Sequence, residues 1–115
     1  MIKSDLSELK SVLRPGQRLL GLDLGEKTIG LALSDTLRTI ATPFKTLKRG
    51  KFAADAAALG ALISEHGVGG LILGLPLNMD GSEGPSAQSA RAFARNLTKV
   101  SDCPVAFMDE VRKYI

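Results

Sequence analysis

Apolar residues along the chain recur with two different periods. Leu6, Leu9, Val12 and Leu13 share one helical face behind Ser4 or Asp5, either of which suits an N-cap. Pro15-Gly16 ends that pattern, so Asp5 to Leu13 reads as a short helix. Leu19 to Leu24 is an apolar run of strand length, and Ile29, Leu31 and Leu33 then alternate with small residues. Gly25-Glu26-Lys27-Thr28 between them supplies a tight turn, which predicts a β-hairpin. Arg38 to Arg49 reads as a third strand of edge type, because Pro43 would deny a central ladder one donor.

The second half changes rhythm. Phe52, Ala56, Leu59 and Ile63 recur at helical spacing over Lys51 to His66, with Gly67 placed as the C′ residue and the alanines expected to form a slim face close to a sheet. Val68 to Pro76 is a continuous apolar run, suited to a strand buried on both faces. The segment Leu77 to Gly84 has strong turn chemistry, and Pro85 fits the first turn of a helix running to about Thr98. Ala90, Phe93 or Ala94, and Leu97 are its inward positions. Pro104 to Glu110 reads as a short last strand ending in paired carboxylates.

Helix, three strands, helix, strand, helix, strand predicts an α/β fold. Three strands joined by turns and then two right-handed crossovers give a mixed five-stranded sheet with helices on its faces. The 115 residues suit one domain, 1–115, in which 1–15 is an N-terminal helical extension. No repeat or low-complexity segment interrupts it.

Composition narrows the setting. Hydrophobic residues make up 44% and charged residues 23%, which is ordinary for a globular chain. One cysteine, Cys103, allows no internal disulfide and reads as a small packed residue in a reducing compartment. No signal peptide or bilayer-length apolar run is expected, so the reading is a soluble, cytoplasmic protein. The net charge of +3 permits a nucleic-acid partner without requiring one. Lys45, Lys48, Arg49 and Lys51 cluster at the edge strand, where a solvated, aggregation-resistant edge accounts for them. Gln88, Arg91, Arg95 and Lys99 fall on one helix face, either a solvated face or a basic stripe along a phosphate backbone. His66, the single histidine, reads as a favourable charge at a helix C-terminus.

Asp23 is the residue that departs from its surroundings. A charge among strand leucines is costly unless it is hydrogen-bonded, paired or bound to a metal. It either bonds nearby backbone at a strand end or is an acid held rigidly at a site, with Gly25 and Gly30 letting a substrate backbone come close.

Three segments then match a known pattern in order and spacing. They are Asp23-Leu-Gly-Glu-Lys-Thr-Ile-Gly-Leu-Ala, Leu73-Gly-Leu-Pro-Leu-Asn-Met-Asp-Gly followed by Ser82-Glu-Gly-Pro, and Asp109-Glu110 after a strand. Together they resemble the YqgF family, also called RuvX, over roughly Gly16 to Glu110. The family is described as Holliday-junction resolvases and, in bacteria, as the pre-16S ribosomal RNA maturation nuclease, within the ribonuclease-H-like superfamily. The resemblance implies phosphodiester hydrolysis with Mg²⁺ or Mn²⁺ held by carboxylates. Hard cations take oxygen ligands, and two of them about 4 Å apart activate a water and stabilise the leaving oxygen. Asp23 matches the family's first-strand acid; Asp109 and Glu110 match its acidic pair. Alternation points those two to opposite faces, and Glu110 is favoured for its longer reach. Asn78 and Asp80 would contact metal or phosphate, Lys27 would meet a phosphate as a point charge, and Gly25, Arg91 and Arg95 complete the expected substrate surface. The partners implied are pre-rRNA or branched DNA and ribosomal particles, with no membrane.

In the ribonuclease-H-like strand order, the fourth strand separates the first from the fifth. Asp23 and Glu110 would then stand about 10 Å apart. The strand between them, Gly69 to Leu75, has no carboxylate, so another group must complete a metal site. The family continues past the acidic pair with Arg, one residue and Ser or Thr, then a last helix with a further acid. Here Val111-Arg112-Lys113-Tyr114-Ile115 follows instead, which implies a missing last helix and an uncovered sheet face. Two other readings stay open: an RNA- or ribosome-binding chain without turnover, and a nucleotide-binding fragment of the sugar-kinase and actin type.

Overall fold

The computed structural model describes residues 1–38 and 40–109. Its elements are α1 (Leu6–Ser11), β1 (Arg18–Leu24), β2 (Thr28–Ser34), β3 (Ala41–Lys48), α2 (Phe52–His66), β4 (Val68–Gly74), α3 (Pro85–Val100) and β5 (Val105–Met108). The strands form one sheet in the order β3-β2-β1-β4-β5. β1–β2 and β2–β3 are antiparallel; β1–β4 and β4–β5 are parallel. This is the mixed sheet expected from the sequence, with β4 separating β1 from β5.

Period-two alternation sorts the strand residues onto two faces. Leu20, Leu22, Ile29, Leu31, Leu71, Leu73 and Val105 pack with Leu59 and Leu62 of α2 and with Phe93, Ala94 and Leu97 of α3. On the other face Leu19 and Ala106 pack with Leu9 of α1, against which Leu6, Leu13 and Ile72 also lie. The face expected to be uncovered is thus partly covered by α1. Gly70 permits the approach: a Cβ there would meet Leu9 at 3.0 Å and Leu19 at 3.1 Å, closer than nearly all real contacts.

Several boundaries shift for local reasons. α1 spans Leu6–Ser11 inside the wider predicted range, and Asp5 is its cap, accepting the Glu8 amide at 2.8 Å. β3 is the edge strand, and its pairing with β2 slips between Leu31 and Ala32, beside Pro43. α2 ends at Gly67 in the left-handed conformation (φ 64°), where its amide donates to Ile63. The alanine expectation is reversed. Ala53, Ala54, Ala57, Ala58 and Ala61 are exposed, while Phe52, Ala56, Leu59, Leu62 and Ile63 face the sheet. Large apolar side chains win the buried positions because they remove more area from water. α3 runs on to Val100. β5 stops at Met108 with Asp109 in a turn, and Glu110 lies outside the described residues, as does the tail after it.

The N-terminus does something the sequence did not signal. Ile2 bridges Val105 in parallel, with the Lys3 amide donating to the Val105 carbonyl at 2.6 Å and the Val105 amide to Met1 at 2.8 Å. Backbone groups on the outer edge of β5 are paired in this way. Cys103 is half-buried, and burial pushes its thiol up to about 11, which agrees with a packed, inert residue. His66 sets its ring edge-on to Phe44 at 4.8 Å, an aromatic contact in addition to its place in the last turn of α2. Among the described residues no helix is long and apolar enough to cross a membrane.

Leu9 is fully buried, so α1 belongs to the packed structure and is not a loose appendage. Leu9→Ala is expected to lower the unfolding free energy by about 2–4 kcal/mol. Urea denaturation followed by circular dichroism measures this, and a change near zero would show that α1 does not pack on the sheet.

Candidate functional site

β1, β4 and β5 run parallel, so their carboxyl ends lie together at one end of the sheet. Ligands of open α/β sheets bind at that end. Asp23 is the penultimate residue of β1, the β4–α3 loop leaves there, and Asp109 follows β5. The β1–β2 turn closes the same end.

Asp23 is half-buried and pairs across the ladder with Gly30. It shares a face with Leu19, away from α2 and α3. On the other side the Leu22–Leu73 pairing sets it level with Gly74, which in turn pairs with Met108. Bare backbone therefore flanks the carboxylate on both sides. A Cβ at Gly30 would stand 3.7 Å from that of Asp23, filling part of this space. An open pocket of about 350 Å³ is lined by Asp23, Gly30, Leu31, Pro43, Phe44, Lys45 and Thr46. Asp23 opens onto it, so it is not packed wholly among aliphatic side chains.

Met108 is two strand spacings from Asp23, about 10 Å, and exposed Asp109 is one residue further on. The strand order that separates Asp23 from the end of β5 is the expected one, and the Asp23–Glu110 distance lies outside the described residues. No group of three His, Cys, Asp or Glu side chains that could hold a metal ion comes together among the described residues. Asp23 offers an oxygen ligand and space for a hydrated hard cation, but the described residues do not by themselves complete a metal site.

The remaining expected contacts have structural partners. Gly25 donates its amide to the Thr28 carbonyl at 2.8 Å, and a Cβ there would press on Thr28 at 3.3 Å, so its bareness serves the turn itself. Lys27 is exposed at the tip of that turn. The loop after β4 closes on itself. The Asp80 carboxylate accepts the Ser82 amide at 2.9 Å and hydroxyl at 2.6 Å. The Asn78 side-chain amide donates to the Ser82 hydroxyl at 3.0 Å, Leu77 bridges Glu83, and Gly81 takes φ 85°, which favours glycine. The bonds from Ser82 hold the exposed Asp80 carboxyl below its ordinary range.

Arg91 is not free on a stripe. Its guanidinium grips Glu83 with two parallel bonds of 2.7 Å and stands 5.0 Å over the Phe107 ring. The pair joins the loop after β4 to α3. It also holds the Glu83 carboxyl below its usual value. Arg95 is exposed on α3 and away from this fork. Arg49 was missed in the sequence as anything but part of a charged edge. Its guanidinium donates to the Gly25 carbonyl at 2.7 Å. No spacing rule links residues 24 positions apart, so this contact follows only from the folded hairpin.

The fold and the acid at its carboxyl end define the ribonuclease-H-like class. Residues 17–112 match the RuvX family, described as Holliday junction resolvase. The chain belongs to the RuvX family. It is 61% identical over 104 residues to a protein of Paramagnetospirillum magneticum provisionally named pre-16S rRNA nuclease, covering 90% of this chain and 67% of that one. It is 51% identical over 110 residues to a Ruegeria pomeroyi protein of the same name, covering 96% and 71%. A Bacteroides thetaiotaomicron protein of unknown function with an actin-like ATPase fold superposes with a TM-score of 0.52 at 9% identity. That alignment covers 88% of this chain and 36% of the other, and it shows likeness of fold alone.

Because Glu83 is depressed by Arg91, the pair's contribution to stability is present above the unfolded-state pKa of Glu83. It is lost as pH falls through the depressed folded value. The pair is partly exposed, so that contribution is small. In Arg91→Ala the Glu83 carboxyl should rise into the ordinary glutamate range. Carbon-detected NMR titration reads this directly.

Proposed function

We propose that this chain is a nuclease that hydrolyses phosphodiester bonds in structured nucleic acid. Its substrate is the 5′ region of pre-16S rRNA, with a branched DNA junction as the second candidate. The carrying observation is Asp23, set near the carboxyl end of the central strand between Gly30 and Gly74 and opening onto a pocket that β2 and β3 line. Membership of the RuvX family and the names of its relatives support the reaction class. Asp23, Glu110 and Asp109 are the proposed catalytic and metal-binding acids, Glu110 on the sequence match alone. A divalent ion, Mg²⁺ or Mn²⁺, would supply Lewis-acid activation of a water and of the scissile phosphate. The chain's own contribution is to hold one carboxylate on a central strand with glycine backbone at Gly30 and Gly74 on either side.

Lys27 and Lys45 bring positive charge to the turn and the pocket rim. Arg95 adds charge on exposed α3, while Asn78, Asp80 and Arg91 shape the loop that a substrate would meet. Ribosomal particles as partners and the cytoplasm as location belong to the same reading.

Asp23→Asn keeps the shape and removes the charge. Cleavage of a pre-16S rRNA fragment by the purified chain with Mg²⁺ or Mn²⁺ should fall by about 100-fold or more. Full activity in this variant sinks the proposal. RNA binding without turnover in the parent chain would favour the binding-only reading instead. Lys27→Ala should weaken RNA binding evenly across sequences and lower the slope of log affinity against log salt by about 0.9. Filter binding over a salt series measures that slope.

A further inference from the structure

We propose that Arg49 is a positioning residue for the Gly25–Thr28 turn, acting through that turn on Asp23 and Lys27. The inference rests on the nuclease reading above. Residue 49 grips the turn at two points. Its guanidinium donates to the Gly25 carbonyl at 2.7 Å, and its main-chain amide donates to the Lys27 carbonyl at 2.8 Å. The same guanidinium lies 5.7 Å from the centre of the Phe93 ring on α3. Phe93 is itself buried and meets Phe52 of α2 edge-to-face at 5.3 Å. The anchor is thus fixed to the core and not to solvent.

The backbone behind Arg49 is fixed as well. The amide of Gly50 donates to the Asp55 carboxylate at 3.1 Å, and Asp55 is only 6% exposed. Arg49 and Phe93 help line a cleft of about 190 Å³ between α2 and α3. Arginine suits this place, since its planar group can stack on a ring and donate in its own plane at once. A charge-assisted bond to a half-buried carbonyl is also stronger than a neutral one.

The turn has no slack to absorb a loss of this grip. Gly25 already bonds Thr28 across the turn at 2.8 Å, and a Cβ at Gly25 would press on Thr28 at 3.3 Å. Asp23 is two residues upstream of Gly25, and Lys27 two downstream. A shift of the Gly25 carbonyl therefore moves the end of β1 and the tip of the turn together. A misplacement of about 1 Å is enough to cost on the order of 100-fold in rate where geometry limits the chemistry.

The test compares Arg49→Ala, Arg49→Lys and Phe93→Leu with the parent chain by two readouts. Without substrate, hydrogen exchange of the Gly25 amide should quicken at least about tenfold in Arg49→Ala while the Leu73 amide in β4 stays protected. With an RNA substrate, kcat should fall at least about tenfold with KM within about threefold, and Arg49→Lys should recover part of the loss. Phe93→Leu, which removes the ring but keeps an apolar side chain, should move both readouts the same way by less. It also serves if Arg49→Ala does not fold. Unchanged Gly25 exchange overturns the proposal whatever the cleavage rate. So does a loss confined to KM with a reduced salt slope, which would make Arg49 a phosphate contact. Full activity of Asp23→Asn would overturn the nuclease reading separately, because the exchange measurement needs no substrate.

Discussion

A carboxylate on a central strand leaves very little freedom in how that strand can sit. β1 pairs on both edges, with β2 and with β4, and residues of both its faces are buried. Its side chains alternate with period two, so a slip of one residue would drive Asp23 between α2 and α3 and turn Leu22 outward. That exchange buries a charge and exposes an aliphatic side chain, and each half of it is unfavourable. The leucines at 20 and 22 thus fix which way Asp23 faces. Core packing and site geometry are set by the same register.

The site end is then built from loops tied to one helix. Arg91 of α3 holds Glu83, and with it the loop after β4. Phe93 of α3 lies beneath Arg49, which holds the turn after β1. Two arginines, each with an aromatic ring and an oxygen partner, link the segments on either side of Asp23 to the core. Neither guanidinium needs full burial, so neither carries the desolvation cost of a buried ion pair. This division explains how exposed loops can keep a defined shape while remaining open to a large ligand.

Much of this was legible in the chain because it depends on local periodicity. The alternation of Ile29, Leu31 and Leu33, the apolar run before Gly74, the breaks at Gly67 and Pro85 and the edge character of Pro43 gave the order of elements. The family resemblance added the strand order. What escaped was set by contacts distant in sequence. The exposed alanines of α2 were misplaced because alanine tolerates either environment, and the larger neighbours decide. The pairing of Met1 to Lys3 with β5 carries no composition signal, since any backbone can add to an edge. Arg49 looked like one more cation in a charged edge; only the folded hairpin brings the Gly25 carbonyl to it.

The edge lysines can now be separated by position. Lys45 and Lys48 are both exposed on β3, where they discourage pairing with another chain. Lys45 also lines the pocket that Asp23 opens onto, whereas Lys48 pairs in register with Thr28 beside the turn. A protective edge and an anion-attracting rim require the same residue type, and nothing obliges the chain to choose between them. The modest net charge of +3 is consistent with this economy. Attraction for a polyanion depends on where cations sit relative to the site, not on their total. Here one of them lines the same open pocket as the carboxylate, from the edge strand, so the pocket carries both signs of charge.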